Sequence, residues 1–228
     1  MSKCAIVTGA SRGLGLALTR RLSSEGWTVI VDSLDRRELE NATFRLPGVH
    51  AIPGDVSDPY HQQILIEAAR TTGRLDLLVN NASALGPTPL PALADANLRS
   101  VVRTFEVNVF APLGLIQLAL PLLAESEGAI VNVTSDAAVE SYPGWGVYGA
   151  SKAALEQASR VLAAERPDIP VYWVDPGDMR TRMHEEAVGG SDISHLPPPE
   201  DSVPGIMELI TRRPPSGRYR VQRLENVA

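Results

Sequence analysis

Six short runs of this chain are apolar along nearly their whole length: Cys4 to Thr8, Trp27 to Asp32, Val49 to Ile52, Leu75 to Val79, Gly128 to Thr134 and Val171 to Val174. A strand with no polar face must be buried on both sides, which is the situation in a parallel sheet covered by helices. Longer segments with helical spacing stand between most of these runs. One starts at Gly13, with Leu14, Ala17, Leu18 and Leu22 in register and Gly26 as its stop. Asp58-Pro59 opens a second with an N-cap and a proline at the first helical position, and it ends near Gly73. A long one covers about 95–125, and another runs from Val147 to Glu165, stopped before Pro167. Repeated β-α-β order predicts an α/β fold, a doubly wound parallel sheet of about seven strands with right-handed crossovers. The seventh is expected at Gly217 to Gln222, after Pro214-Pro215. No linker or repeat interrupts the chain, so residues 1–228 are expected to form one domain.

Charge and composition remove several function classes. The net charge is -6 and basic residues form no long run, the opposite of the surface that nucleic-acid phosphates require. Cys4 is the one cysteine, so no intrachain disulfide can form. The N-terminus runs directly into the first strand pattern with no room for a secretory signal. Val107 to Ala124 is the one stretch that invites a membrane reading, but Asn108, Pro112, Gln117 and Pro121 interrupt it, and a buried helix is expected instead. These features predict a soluble protein of the reducing cytoplasm with no membrane partner. His50, His61, His184 and His195 show no metal-ligand spacing, so no metal is expected.

The first strand runs into Thr8-Gly9-Ala10-Ser11-Arg12-Gly13-Leu14-Gly15, where the first helix begins. Glycines at this junction let the backbone turn and approach a pyrophosphate, and the helix N-terminus offers free N–H groups and a positive dipole end to it. Further on, Ser135 ends the fifth strand, Tyr148 follows thirteen residues later, and Lys152 four after that. Tyrosine and lysine at i and i+4 share a helix face. An ammonium beside a phenol favours the phenolate, lowering a pKa that starts near ~10, as a base working near neutral pH requires. A serine hydroxyl can donate to an oxygen on which charge develops.

The G-x-x-x-G-x-G spacing of the loop, together with Ser-x12-Tyr-x3-Lys, resembles the short-chain dehydrogenase/reductase family. The resemblance spans positions 8 to 181. It implies an NAD(P)-dependent oxidoreductase that moves a hydride between a nicotinamide and a carbonyl/alcohol pair, with Tyr148 as general acid/base, Ser135 on the substrate oxygen, Lys152 on the ribose, and Asn108 positioning a relay water. It implies cofactor contacts from Gly9, Ser11, Arg12, Gly13, Leu14 and Gly15 in the loop, and from Asp55-Val56 at the adenine. Asn81 and Ala82, in a segment Asn80-Asn81-Ala82-Ser83 similar to the family's N-N-A-G, line the cofactor cleft. Tyr148 and Lys152 face it, and Pro176, Gly177 and Thr181 lie at the carboxamide and phosphate end. Ser83 replaces a common glycine, a change expected to matter little. The family also implies a homodimer or homotetramer built through the helices near 95–125 and 147–165.

The residue just after the second strand selects the cofactor, because an acid there binds a ribose 2′-OH and repels a 2′-phosphate. Counted from Gly26, that place falls on Ser33, with Leu34 next. Asp32 is one residue early and strand alternation points it elsewhere, while Arg12 and Arg36 favour a phosphate. NADP(H) is therefore expected over NAD(H). The substrate is expected to be a small carbonyl or alcohol under a lid at 178–200. That segment offers Met179, Met183, His184, Ile193 and Leu196 beside Arg180, Arg182, Glu185 and Glu186. Two other functions share parts of the pattern. Nucleotide-sugar epimerases and dehydratases carry G-x-x-G-x-x-G and a larger C-terminal domain. A non-catalytic dinucleotide-binding sensor or scaffold would lose the tyrosine or the lysine, and both are present.

Overall fold

A computed structural model describes residues 2–222 and the backbone of 225–226. The span expected as one domain, 1–228, extends at both ends beyond these. The strands are β1 (Cys4–Val7), β2 (Thr28–Val31), β3 (Val49–Ala51), β4 (Leu77–Asn80), β5 (Ala129–Val133), β6 (Val171–Asp175), β7 (Gly217–Arg220) and β8 (Glu225–Asn226). They form one sheet in the order β3-β2-β1-β4-β5-β6-β7-β8. The first seven are parallel, as expected, and β8 adds a short antiparallel pairing at the edge.

The helices are α1 (Gly13–Ser24), α2 (Arg36–Thr43), α3 (Pro59–Thr71), α4 (Leu98–Phe105), α5 (Ala111–Glu125), α6 (Gly146–Glu165), α7 (Arg182–Ala187) and α8 (Val203–Arg212). Strand alternation divides the core between two layers. Ala5, Val7, Val29, Val31, Val79 and Val131 point to the side where Leu18 and Leu22 of α1 and Ile206 and Leu209 of α8 pack. Ile6, Ile30, Leu78, Ile130 and Trp173 point to the other, against Leu65 of α3 and Leu115 and Leu123 of α5. The strands lack a polar face because each face has its own helical cover.

Three helices carry little periodic signal. α2 buries only Leu39 and Thr43, so it shows no apolar stripe, although its cap is legible in retrospect: Asp35 accepts from the Glu38 N–H. α8 begins Val203-Pro204-Gly205, which reads as a break, yet a side chain at Gly205 would run into the Val221 backbone. α7 is a six-residue piece of the excursion after β6. The long helix expected near 95–125 starts at Leu98, with Asn97 as its cap, and changes hydrogen-bond pattern midway. Leu98–Glu125 is long and apolar enough to cross a membrane, but Leu115, Ile116, Ala119 and Leu123 are buried against the sheet and α3.

Candidate active site

The chain moves outward from β1 to β3 and then returns to the other side of β1 as β4. Loops leaving β1 and β4 therefore diverge, opening a crevice at the carboxyl ends of the strands. The two loops are tied together beneath it. The Asn81 amide donates to the carbonyls of Thr8 and Gly9 at 2.8 and 3.1 Å, and the N–H groups of Asn81 and Ala82 both donate to the Thr8 hydroxyl at 3.0 Å. Two of the loop glycines serve this closeness. A Cβ at Gly9 would meet Ala82, and one at Gly15 would meet the Gly9 carbonyl and the Asn81 amide. Gly13 differs. Its φ is +56, its missing side chain faces only the Thr181 methyl at 3.6 Å, and no side chain caps the helix start at Arg12. The α1 N-terminus thus keeps an open face for an anion.

A cleft of about 980 Å³ lies over this point. Most of the predicted cofactor residues line it: Gly9, Ser11, Arg12, Gly13 and Leu14 at one end, Ser33, Asp55 and Val56 beyond them, and Asn81, Ala82, Tyr148, Lys152, Pro176 and Thr181 at the other. Gly15 instead lies behind the loop, and Gly177 faces a second, smaller cavity. Asp55 accepts from Ser57 and from Arg103 at 2.7 Å. Burial works against its ionisation, but these donors outweigh it and hold the carboxyl below its usual range. Ser33 donates to Ser11 at 3.1 Å. Ser11 in turn donates to Glu38 at 2.9 Å, and Arg12 pairs with the same carboxylate at 3.2 Å. Arg36 lies outside the cleft, paired with Glu40 along α2. Asp32, set aside as pointing away from a ribose, also borders the cleft. Its buried carboxylate accepts from the Gly9 N–H at 2.8 Å and faces His61 at 3.2 Å, so it holds the loop from below.

Asn108 sits in a π-helical turn, Glu106–Phe110, between α4 and α5. Pro112 has no N–H for the Asn108 carbonyl four residues back, which is a direct cause of the irregularity. The Asn108 side chain is fully used. It accepts from the Ala84 N–H and the Ser83 hydroxyl, and donates to the Ala84 carbonyl and to Ser151 on α6. This clamp joins the β4 loop to the helix that carries Tyr148 and Lys152, both buried. Ser83 and Ser135 stand beside the Tyr148 hydroxyl and act to lower its pKa, against burial, which raises it. Ser83, expected to be a neutral replacement for glycine, is therefore a member of the cluster.

The acid–base balance differs from the expectation of a lysine-lowered tyrosine. Lys152 Nζ donates to the Val133 carbonyl at 2.9 Å and lies 5.6 Å from the Tyr148 ring centre. Burial dominates both groups: Tyr148 is pushed up to about 12, helped by the charges of Asp136 and Asp175, and Lys152 is pushed down to about 7. The linkage is testable. From about pH 7 to 10.5 the unfolded lysine holds a proton that the folded one has released, so stability rises with pH across that window. Tyr148 acts oppositely between 10 and about 12, where the folded state holds the proton. Calorimetry without nucleotide should show Tm rising from pH 7 toward 10, and Lys152→Met should flatten that rise. An unchanged slope in the variant would remove Lys152 as its source.

The second cavity, about 310 Å³, adjoins the cleft at Tyr148, which lines both. Ser135, Asp136, Tyr142, Trp145, Met179, Met183 and His184 form its walls. Trp145 packs edge-on against Tyr148 at 5.7 Å. Below the floor, buried Arg218 of β7 donates to Glu156 at 2.9 Å, to Asp175 at 3.3 Å and to the Ser135 carbonyl at 3.1 Å. Asp136, Trp145, Glu156, Asp175 and Arg218 were not among the residues singled out from the sequence. Trp145 lies three residues before Tyr148 and was the most accessible signal. Arg218, 66 residues beyond Lys152, had none.

Comparison with known proteins agrees with this geometry. The short chain dehydrogenase family model matches residues 3–190. A benzil reductase, (S)-benzoin forming, of Saccharomyces cerevisiae is 33% identical over 93% of this chain and 82% of its own. A diacetyl reductase, (S)-acetoin forming, of Staphylococcus epidermidis is 34% identical over 80% of this chain and 74% of its own. A short chain dehydrogenase structure from Pseudomonas syringae superposes with a TM-score of 0.89 at 27% identity, covering 96% and 93% of the two chains. One from Shigella flexneri, complexed with NADP, gives 0.86 at 28% identity, covering 96% and 97%. With its parallel sheet, glycine-rich loop and paired cavities, the chain belongs to the short-chain dehydrogenase/reductase family and is an NAD(P)-dependent oxidoreductase.

Proposed function

We propose that this protein reduces a small carbonyl compound, or oxidises the matching alcohol, with NADP(H) in preference to NAD(H), using Asn108, Ser135, Tyr148 and Lys152. The observation that carries the reading is the position of Tyr148 at the junction of the two cavities, with Ser135 beside it and Lys152 on the cleft side. The residues fit a dinucleotide: the open helix start at Gly13 suits its phosphates, and Ser33 and Asp55 line the far end. When bound, the nicotinamide supplies or accepts the hydride. Ser135 donates to the substrate oxygen, and Tyr148 gives it or takes from it a proton. Lys152 turns from the Val133 carbonyl toward the ribose and stabilises the phenolate. The Asn108 carbonyl, left without an N–H from Pro112, accepts from a relay water. Residues 178–200 form the lid, which supplies Met179, Thr181 and Met183 to both cavities.

The preference for a 2′-phosphate rests on Ser33 standing where an acid would repel it and on Arg12 at the cleft rim. The Arg12–Glu38 pair is half-exposed and of the kind a phosphate displaces at small cost. Turnover of diketones and aryl ketones, followed by nicotinamide oxidation, tests the reaction class. A ratio of kcat/KM for NADPH over NADH of about tenfold or more is expected, shrinking in Arg12→Ala. A preference for NADH would overturn it. Binding of cofactor without turnover of any alcohol or ketone would favour a sensor. Leu98 and Val102 on α4, Phe110 beside it and Val161 on α6 are exposed, and we read these faces as the contacts of a homodimer or homotetramer.

A further inference from the structure

The smaller cavity holds a charge that a neutral ketone leaves unanswered. Neither lysine nor arginine lines it. Its three acids differ in their surroundings. Asp175 is compensated from behind by Arg218 and Arg220 at 3.3 and 3.5 Å. Asp178 is largely exposed and faces His184 at 3.7 Å. Asp136 is half-buried at the cavity wall, and its two oxygens accept from the hydroxyls of Ser135 and Tyr142, each at 3.0 Å. No basic side chain pairs with it among the described residues. Its position is electrostatically adverse for the reaction proposed above. It holds the serine hydroxyl meant for the substrate oxygen, and its charge opposes negative charge gathering on that oxygen. A substrate bringing its own positive charge removes both objections.

We propose that the preferred substrate carries an ammonium group one or two carbons from the reacting carbonyl or alcohol carbon, bound by Asp136 against the rings of Tyr142 and Trp145. This rests on reading the smaller cavity as the substrate site. The ammonium takes over the Asp136 oxygens by charge-assisted hydrogen bonds, freeing the Ser135 hydroxyl to turn to the substrate oxygen. Aromatic walls suit a cation whose carbon frame is apolar. Bond changes are those of carbonyl reduction alone. A C–H bond forms at the carbonyl carbon, the C=O π pair takes the Tyr148 proton, the dihydronicotinamide is oxidised, and the C–N bond is untouched. A carboxylate in the same place would face Asp136 and is excluded.

Three ketones of one shape test this: α-aminoacetophenone, propiophenone, in which a methyl replaces the ammonium, and benzoylacetate, which carries a negative charge. They are compared at about pH 6, below the titration range of an amine beside a carbonyl. Wild type should favour α-aminoacetophenone over propiophenone by about tenfold or more in kcat/KM, with benzoylacetate slowest, and Asp136→Asn should bring the first ratio close to one. A wild-type ratio near one, or an ammonium preference that survives Asp136→Asn, overturns the proposal. If the panel is not reduced at all, calorimetry with the NADP⁺-loaded protein keeps the question open to decision. Phenethylammonium should bind and hydrocinnamate should not, with the difference lost in Asp136→Asn, and equal binding overturns the proposal. Reduction of propiophenone without ammonium preference leaves the oxidoreductase reading standing and removes only this inference. Ammonium binding without turnover does the reverse.

Discussion

Tyr148→Phe is expected to lower kcat/KM by about a hundred- to ten-thousand-fold, the range that a positioned proton donor contributes, while nucleotide affinity changes little. The substitution removes one oxygen and keeps the ring. The edge-on contact with Trp145 at 5.7 Å and the packing on Leu85 and Ala137 do not depend on the hydroxyl. What is lost is the hydroxyl that stands beside Ser83 and Ser135 at the meeting point of the two cavities. Stopped-flow binding of NADPH and steady-state turnover separate the two effects. Near-normal turnover in the variant would leave Tyr148 a packing residue. The pH profile sharpens the test. By the protein's own groups the phenol resists ionisation, being pushed up to about 12, while Lys152 sits near 7. Nucleotide and substrate must therefore shift this balance toward phenolate and ammonium, so the profile of the complex should differ from that of the free protein.

Arg218→Met is expected to cost about 3–5 kcal/mol of stability, the penalty for leaving buried carboxylates without their cation. For a chain of this size that is a fall in Tm of roughly 6–20 °C. Arg218, Glu156 and Asp175 have side chains each 5% exposed, so solvent does little to screen the change. Glu156 also accepts from Thr134 at 2.8 Å, and Asp175 from the Gly177 N–H at 3.0 Å. The network thus spans the strands that deliver Ser135 and Pro176-Gly177. Adding Glu156→Gln to Arg218→Met should recover part of the loss, because the two residues form one unit and their effects do not add. A loss below about 1 kcal/mol would mean that the carboxylates find other partners or protonate. Removing Arg218 leaves Asp175 with Arg220 alone at 3.5 Å, so more of its charge acts on Tyr148, and any remaining alcohol oxidation should fall at neutral pH and recover toward higher pH.

Much of the fold was legible because the pattern that encodes it is local. The uninterrupted apolar runs predicted β1 to β6 to within one or two residues, and the caps at Asp58-Pro59 and Gly26 are where expected. α2 and α8 escaped because one is polar nearly all round and the other begins at a proline–glycine pair. Residues of the site were legible where chemistry and spacing coincide, as for Ser135, Tyr148 and Lys152 on one strand end and one helix. Pro112 announced the irregular turn at Asn108 because a missing N–H is a property of the residue itself.

The chain's own order of residues determined a parallel sheet, a glycine-rich loop at the start of α1 and a tyrosine–lysine pair one helical turn apart. Only the tertiary structure decided which groups surround them. It set Asp32 beneath Gly9, Ser83 against Tyr148, and Asp136 in the wall of the smaller cavity. It also brought Arg218 up behind Ser135. These pairings join residues 23 to 83 positions apart, and no periodicity reaches across such distances. The same separation explains the tyrosine. Its neighbour Lys152 was visible in the sequence, but the burial that pushes Tyr148 upward and Lys152 downward belongs to the closed sheet and its helices.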